Sequence, residues 1–176
     1  MNEQKLKGKK VLVFIGDIYE ELELWYPKLR LEEEGAEVHL AGPKAGTRYS
    51  GKNGYDGTSD VSCNDIGVDN YDGLVIPGGY MPDKLRRDKK VLDITAEFHA
   101  QGKMVAFICH GGWIPISAGI LKGKKLTSVN AIKDDLTNAG AEWVDEAVVV
   151  DHNIITSRTP KDLGHFGRAM ISFLQD

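Results

Sequence analysis

One cysteine in the 176-residue chain stands where a sulfur could do covalent chemistry. Cys109 follows five apolar residues, Met104 to Ile108 (MVAFI), and precedes His110, Gly111 and Gly112. A short unbroken apolar run reads as a buried strand, and the two glycines behind the cysteine allow a tight strand-to-helix elbow. Such an elbow pushes the side chain out of the sheet, so the thiol faces a cleft. The helix that follows offers partial positive charge and free N–H groups, which favour a thiolate and can also bind an oxyanion. Attack of sulfur on a carbonyl carbon is the chemistry this arrangement serves. The competing reading is an inert core thiol, because cysteine is among the most buried residue types. The paired glycines favour the elbow.

Partners for the sulfur come from three places. His110 is a candidate acid/base, although neighbours in a turn point in different directions, so a carboxylate from elsewhere could orient it instead. Gly78 and Gly79 follow a second apolar run, GLVIP, and their N–H groups can point into the same cleft or simply punctuate a turn. Glu20, Glu21 and Glu23 open the first long helix, where negative charge is favourable in any case. A carboxyl of that group touching a thiolate would have to be protonated, and the two would titrate as a unit.

Other residue types are less informative. His39, His99, His152 and His165 show no metal-ligand spacing, and a zinc site needs three or four ligands, so no metal and no cofactor are expected. Cys63 lies in a polar, turn-rich stretch without a neighbouring histidine. Gly46 to Lys52 matches G-x-x-x-x-G-K, but Asn53 stands where Ser or Thr would hold Mg²⁺, and Asn53-Gly54 breaks a helix rather than starting one. Nucleotide hydrolysis is rejected on that ground.

Positioning these residues requires a framework, and the chain alternates short apolar runs with longer amphipathic stretches, the pattern of βαβ units. The strands expected are Val11–Gly16, Glu37–Leu40, Gly73–Pro77, Met104–Ile108 and Lys125–Val129. A hairpin or irregular excursion is expected over 42–60, and an edge hairpin at Ala147–Val150 and Ile154–Ser157. Helices are expected at Glu21–Glu34, with Leu22, Trp25, Leu29 and Leu31 as its apolar spacing, within Pro82–Gln101, after Gly112, at Ile132–Ala139, and after Thr159 as N-cap. The fold expected is a three-layer α/β/α sandwich on a mostly parallel sheet, formed by residues 1–176 as a single domain. In such sheets ligands bind beyond the carboxyl ends of the strands. Those ends here carry Gly16 to Glu21, Pro77 to Asp83, and Cys109 to Gly112.

Charge and composition narrow the classes. Lys plus Arg is 22 and Asp plus Glu is 26, a net charge of −4, with no long basic run to neutralise phosphates. Nucleic acid is not an expected partner. The apolar run Val11–Ile15 is too short for a signal-peptide core or a membrane span, so no membrane association and a cytoplasmic location are expected.

The strings AFICHGG, VIPGGYMPDKLR, GDIYEELEL and IKDDLTNAGAEWVDEAVVVDHNIITSRTP, in their order along the chain, resemble the PfpI-type intracellular peptidases. These belong to the class I glutamine amidotransferase-like superfamily, alongside the parkinsonism-associated protein deglycases. The resemblance implies a flavodoxin-like sandwich with Cys109 as nucleophile and His110 as its companion. It further implies Glu20 as the carboxyl that contacts the thiol. Asp83 would be the acid that orients the histidine across a subunit interface, one methylene shorter than the glutamate found in relatives. Backbone N–H groups of Gly79 and of His110 or Gly111 would hold an oxyanion. Gly112 stands where proline is common, and Trp113 after it is a candidate wall of the cleft. The working unit implied is a homo-oligomer, a dimer or a hexamer. Two kinds of substrate fit: a peptide bond, giving peptidase action, or a small carbonyl compound such as methylglyoxal or its adduct on an amino group, giving glyoxalase or deglycase action. The rival class is an oxidative-stress sensor or chaperone-like protein that uses an oxidisable Cys109 without turnover.

Overall fold

The computed structural model describes residues 4–176. The chain opens with β1 (Lys10–Phe14), α1 (Glu21–Glu33) and β2 (Glu37–Gly42). Three short strands follow, β3 (Arg48–Ser50), β4 (Asp56–Thr58) and β5 (Val61–Ser62), and then β6 (Gly73–Ile76), α2 (Met81–Leu85), α3 (Lys89–Ala100) and β7 (Met104–Ile108). The second half adds α4 (Trp113–Ala118), β8 (Lys125–Leu126), α5 (Lys133–Asn138), β9 (Glu142–Trp143), β10 (Val148–Asp151), β11 (Ile154–Ser157) and α6 (Leu163–Gln175).

Seven strands form the central sheet in the order β10-β11-β7-β6-β1-β2-β5. All neighbours are parallel except the edge pair β10 and β11. The middle strands read VLVF, GLVI and MVAFI, and all of these residues are buried, as strands covered on both faces must be. From β1 the chain moves to β2 on one side, whereas from β6 it moves to β7 on the other. Right-handed crossovers therefore place α1 and α3 on opposite faces. Helix α6 returns to pack beside α1, and α4 packs beside α3, which closes the two outer layers of the flavodoxin-like sandwich. The point where the direction of winding reverses lies between β1 and β6, and a crevice opens there beyond the strand ends.

Several expectations need adjustment. The stretch 125–129 does not join the central sheet; β8 instead pairs with β9 in a separate two-stranded sheet, as β3 does with β4. Helix α1 forms where its spacing predicts, but Leu22 and Leu29 are each 58% exposed. The inward face consists of Leu24, Pro27 and Leu31, together with Glu21 and Glu23. Its acids turn inward because the helix start points at the crevice, where amide donors wait. Thr159 makes no side-chain cap bond; a single 3₁₀ turn, Pro160–Asp162, intervenes before α6, and Asp162 pairs with Arg158.

Candidate active site

The loops after β1, β6 and β7 meet at the crevice, and each is forced into its shape by backbone constraints. Ile108 is extended, and Cys109 then adopts φ +59°, a left-handed conformation that costs a non-glycine residue roughly 1–3 kcal/mol. The turn is made possible by Gly111, where a Cβ would stand 2.5 Å from the Ile76 carbonyl oxygen. Gly79 has φ +78°, and a Cβ there would meet the Ile18 carbonyl oxygen at 2.5 Å and the Glu20 nitrogen at 2.6 Å. Ile18 is itself left-handed, at φ +66°. Its carbonyl accepts from the N–H groups of Tyr80 (2.8 Å) and Met81 (3.2 Å), and its own N–H donates to Ser50 (2.7 Å). Three loops are thus locked to one another around a strained residue.

Cys109 Sγ lies 3.3 Å from His110 Nδ1, so the neighbouring histidine does turn to the sulfur. The backbone N–H groups of His110 and Gly79 also face it. Gly111 serves the close approach to Ile76 rather than pointing an amide at the sulfur.

The carboxyl beside the thiol is Glu23, which corrects the assignment of that contact to Glu20. Glu23 is fully buried, and its Oε2 accepts from Gly78 N–H at 2.8 Å. A Cβ on Gly78 would press on both Glu23 and Cys109, so the glycine keeps the two together. The reason for the exchange of roles is helical geometry. Glu20 is the extended N-cap residue of α1 and turns to the mouth, whereas Glu23, in the first turn, directs its side chain back toward the helix start. At the mouth Glu20 pairs with Lys52 at 2.5 Å.

Burial, reinforced by the charge on Glu20, pushes the Glu23 carboxyl up to about 7, against the pull of the Gly78 N–H. Burial first, and then the Glu23 carboxylate, pushes the Cys109 thiol up to about 12; the two amides pull the other way. The helix start therefore does not ionise the sulfur on its own. The thiol and carboxyl titrate together, and once Glu23 carries a proton its repulsion of a thiolate disappears. Burial, and then the charge on Lys52, lowers the His110 pKa, which keeps the imidazole neutral near neutral pH.

A pocket of about 350 Å³ opens over the sulfur. Cys109, His110, Glu20, Lys52, Gly79 and Trp113 are among the residues that line it. Trp113 lines the cleft; its ring packs tilted against that of His110, centroids 5.0 Å apart, and its Nε1 donates to Asp135 at 3.0 Å. Asp83 is elsewhere: on α2, its carboxylate bonds Arg87 at 2.5 Å, and it makes no contact with His110 of its own chain. Cys63 is 1% exposed, away from the pocket.

Sequence reasoning missed Lys52 and Ile18. Lys52 sat inside the rejected nucleotide-like motif, and the sign of a function for it lay in Glu21, whose carboxylate binds the Asn53 N–H (2.6 Å) and side-chain amide (2.8 Å) and so fixes the loop beside the helix start. Nothing in the residue type of Ile18 announces a left-handed backbone. Among the described residues no group of three or more His, Cys, Asp or Glu side chains could hold a metal ion, and no helix is long and apolar enough to cross a membrane.

Comparison with known proteins gives consistent matches. The model of the DJ-1/PfpI family matches residues 9–172. A Thermococcus kodakarensis protein named Deglycase TK1284 is 46% identical over 166 residues, covering 94% of this chain and 99% of its own. Deglycase PfpI of Pyrococcus furiosus is 43% identical over 166 residues, with the same coverage of both chains. Among solved structures, a two-domain protein from Anabaena variabilis, with DJ-1/ThiJ/PfpI-like and ferritin-like domains, superposes with a TM-score of 0.93 at 40% identity. That match covers 94% of this chain and 48% of the Anabaena chain, about half its length.

Proposed function

The chain belongs to the DJ-1/PfpI family, and from that premise we propose that it is a cysteine-dependent deglycase or glyoxalase acting on small carbonyl compounds. The observation that carries the reading is the sulfur of Cys109 in the lining of an open pocket, in a strained elbow, with a buried carboxyl and two amides against it. The names of the archaeal relatives support the substrate class. In this reading the Cys109 proton passes to the Glu23–His110 surroundings as sulfur attacks an aldehyde carbon. The N–H groups of Gly79 and His110 stabilise the oxygen that becomes negative. Glu23, whose carboxyl titrates near 7, accepts from the thiol as a carboxylate and holds its proton once the sulfur attacks, which removes the repulsion of the anion. Aldehydes are more reactive than amides, so a compact site suits them better than a peptide bond.

Asp83 completes the reading in an oligomer. Its carboxylate, bound only to Arg87 in its own chain, orients His110 of a second copy. A catalytic thiol must stay reduced, which fits the cytoplasm as its compartment. The test is steady-state turnover of methylglyoxal and of a peptide panel by wild type, Cys109→Ala and Asp83→Asn. Cys109→Ala abolishes methylglyoxal turnover; turnover that survives it removes Cys109 as nucleophile, and peptide cleavage without methylglyoxal turnover overturns the substrate class. Asp83→Asn lowers kcat about tenfold, the low end for an orienting acid; an unchanged rate removes the cross-subunit contact.

A further inference from the structure

Resting on the reading above, we propose that Lys52 and Glu20 are catalytic residues for the step after sulfur attack, in which a dicarbonyl rearranges: Lys52 holds the second oxygen and Glu20 carries the proton. A dicarbonyl has two adjacent oxygens. The first becomes negative when sulfur adds, and the amides of Gly79 and His110 are placed for it. The second needs its own donor when the neighbouring carbon–carbon bond becomes double. Trp113 Nε1 is already given to Asp135, and His110 Nδ1 faces the sulfur. Lys52 is the pocket residue with a permanent positive charge; its side chain is 46% exposed, and its ammonium has three donors of which one meets Glu20. The base must be a carboxylate that is not already committed to the thiol. Glu23 is committed; Glu20, which lines the same pocket and pairs with Lys52, is not. The Glu21–Asn53 bonds fix the loop that carries Lys52, so the pair stands ready before substrate arrives.

The steps balance without an external oxidant. Sulfur bonds to the aldehyde carbon, and the carbonyl electron pair moves to oxygen, which takes the proton shared by Cys109 and Glu23. Glu20 then removes the hydrogen from that carbon. The freed pair forms a carbon–carbon double bond while the adjacent carbonyl pair moves to its oxygen, opposite Lys52. Glu20 returns the proton to the adjacent carbon while the hydroxyl proton of the first carbon passes to the second oxygen, leaving a thioester of a 2-hydroxy acid, and water releases the acid and the Cys109 thiol. One carbon is oxidised and its neighbour reduced.

The experiment measures methylglyoxal turnover and, separately, the rate at which iodoacetamide alkylates Cys109, in wild type, Lys52→Met, Lys52→Arg and Glu20→Gln. Lys52→Met and Glu20→Gln lower kcat about a hundredfold or more, the scale of losing one transition-state donor or one acid/base. Lys52→Arg recovers most of the rate, and alkylation falls at least about tenfold less than turnover in Lys52→Met and Glu20→Gln, since the pair reaches the thiol only through the charges of Glu23 and His110. Turnover by Lys52→Met or Glu20→Gln within threefold of wild type overturns the proposal. So does a loss matched by an equal fall in alkylation, which would place the pair's effect on the thiol alone. Failure of the underlying reading is a different result, namely turnover that survives Cys109→Ala.

Discussion

The two cysteines share a property and differ in everything around it. Burial pushes the thiols of Cys63 and Cys109 up to about 12 alike. Cys63 sits in the core at 1% exposure beneath α3, where burial first and then the charge on Asp88 oppose its ionisation and only its own backbone amide and Lys90 pull the other way. Cys109 sits in a left-handed elbow under an open pocket, with His110, Glu23 and two amides in reach. A thiol's resting acidity therefore does not distinguish a structural cysteine from a reactive one here. What distinguishes them is whether a histidine and a carboxyl touch the sulfur and whether substrate can approach, and both are properties of the neighbours.

The largest effect expected from this contrast is on activity. Cys109→Ala loses turnover by about a thousandfold or more, while Cys63→Ala stays within about twofold, as expected when only one of the two groups forms the covalent intermediate. Comparable losses in both, measured by steady-state kinetics on folded protein, would erase the distinction.

A second measurement sharpens what the neighbour does. Glu23 is raised to about 7 in the folded chain and titrates near 4.5 when unfolded. Between these values the folded state binds more protons, so its contribution to stability, full below about pH 4.5, is lost as pH rises through 7, by on the order of 3 kcal/mol. Glu23→Gln cannot titrate. Urea unfolding at pH 4.5 and 7.5 should therefore show wild type losing stability relative to the glutamine variant across that window. Parallel curves would mean that Glu23 is ionised throughout and cannot hold the shared proton. The smallest effect is that of Cys63→Ala on stability, about 1–2 kcal/mol for a buried sulfur replaced by a small cavity, read from the same urea midpoints. A larger cost would make Cys63 more than packing.

The contrast was only half legible in the sequence. MVAFI followed by Cys-His-Gly-Gly is a local pattern, and local patterns carry the elbow, the sheet strands and the order of the layers. Gly79 and Trp113 were legible in the same way, as residues next to a strand end. The contact between Glu23 and the sulfur is not local. Glu20, Glu21 and Glu23 have the same chemistry and lie within one turn, so the choice depends on where the N-cap falls, and an error of one turn reassigns the carboxyl. The exposed Leu22 and Leu29 show the same difficulty, because the periodicity of α1 identifies a helix without saying which way its first turn faces. Lys52 was beyond reach for a further reason: it arrives from the β3–β4 excursion, whose placement is set by Glu21, more than thirty residues earlier.

Those bonds from Glu21 to Asn53 also bear on how a ligand enters. Hairpin tips are usually the loosest part of a domain, yet this one is riveted to the frame at the spot where it supplies the rim. A small aldehyde would meet a mouth already in its working shape, with no flap to swing shut and no ordering cost on arrival. Entry and exit would then keep pace with diffusion, and the slow event in each cycle would be a chemical step rather than any movement of the protein.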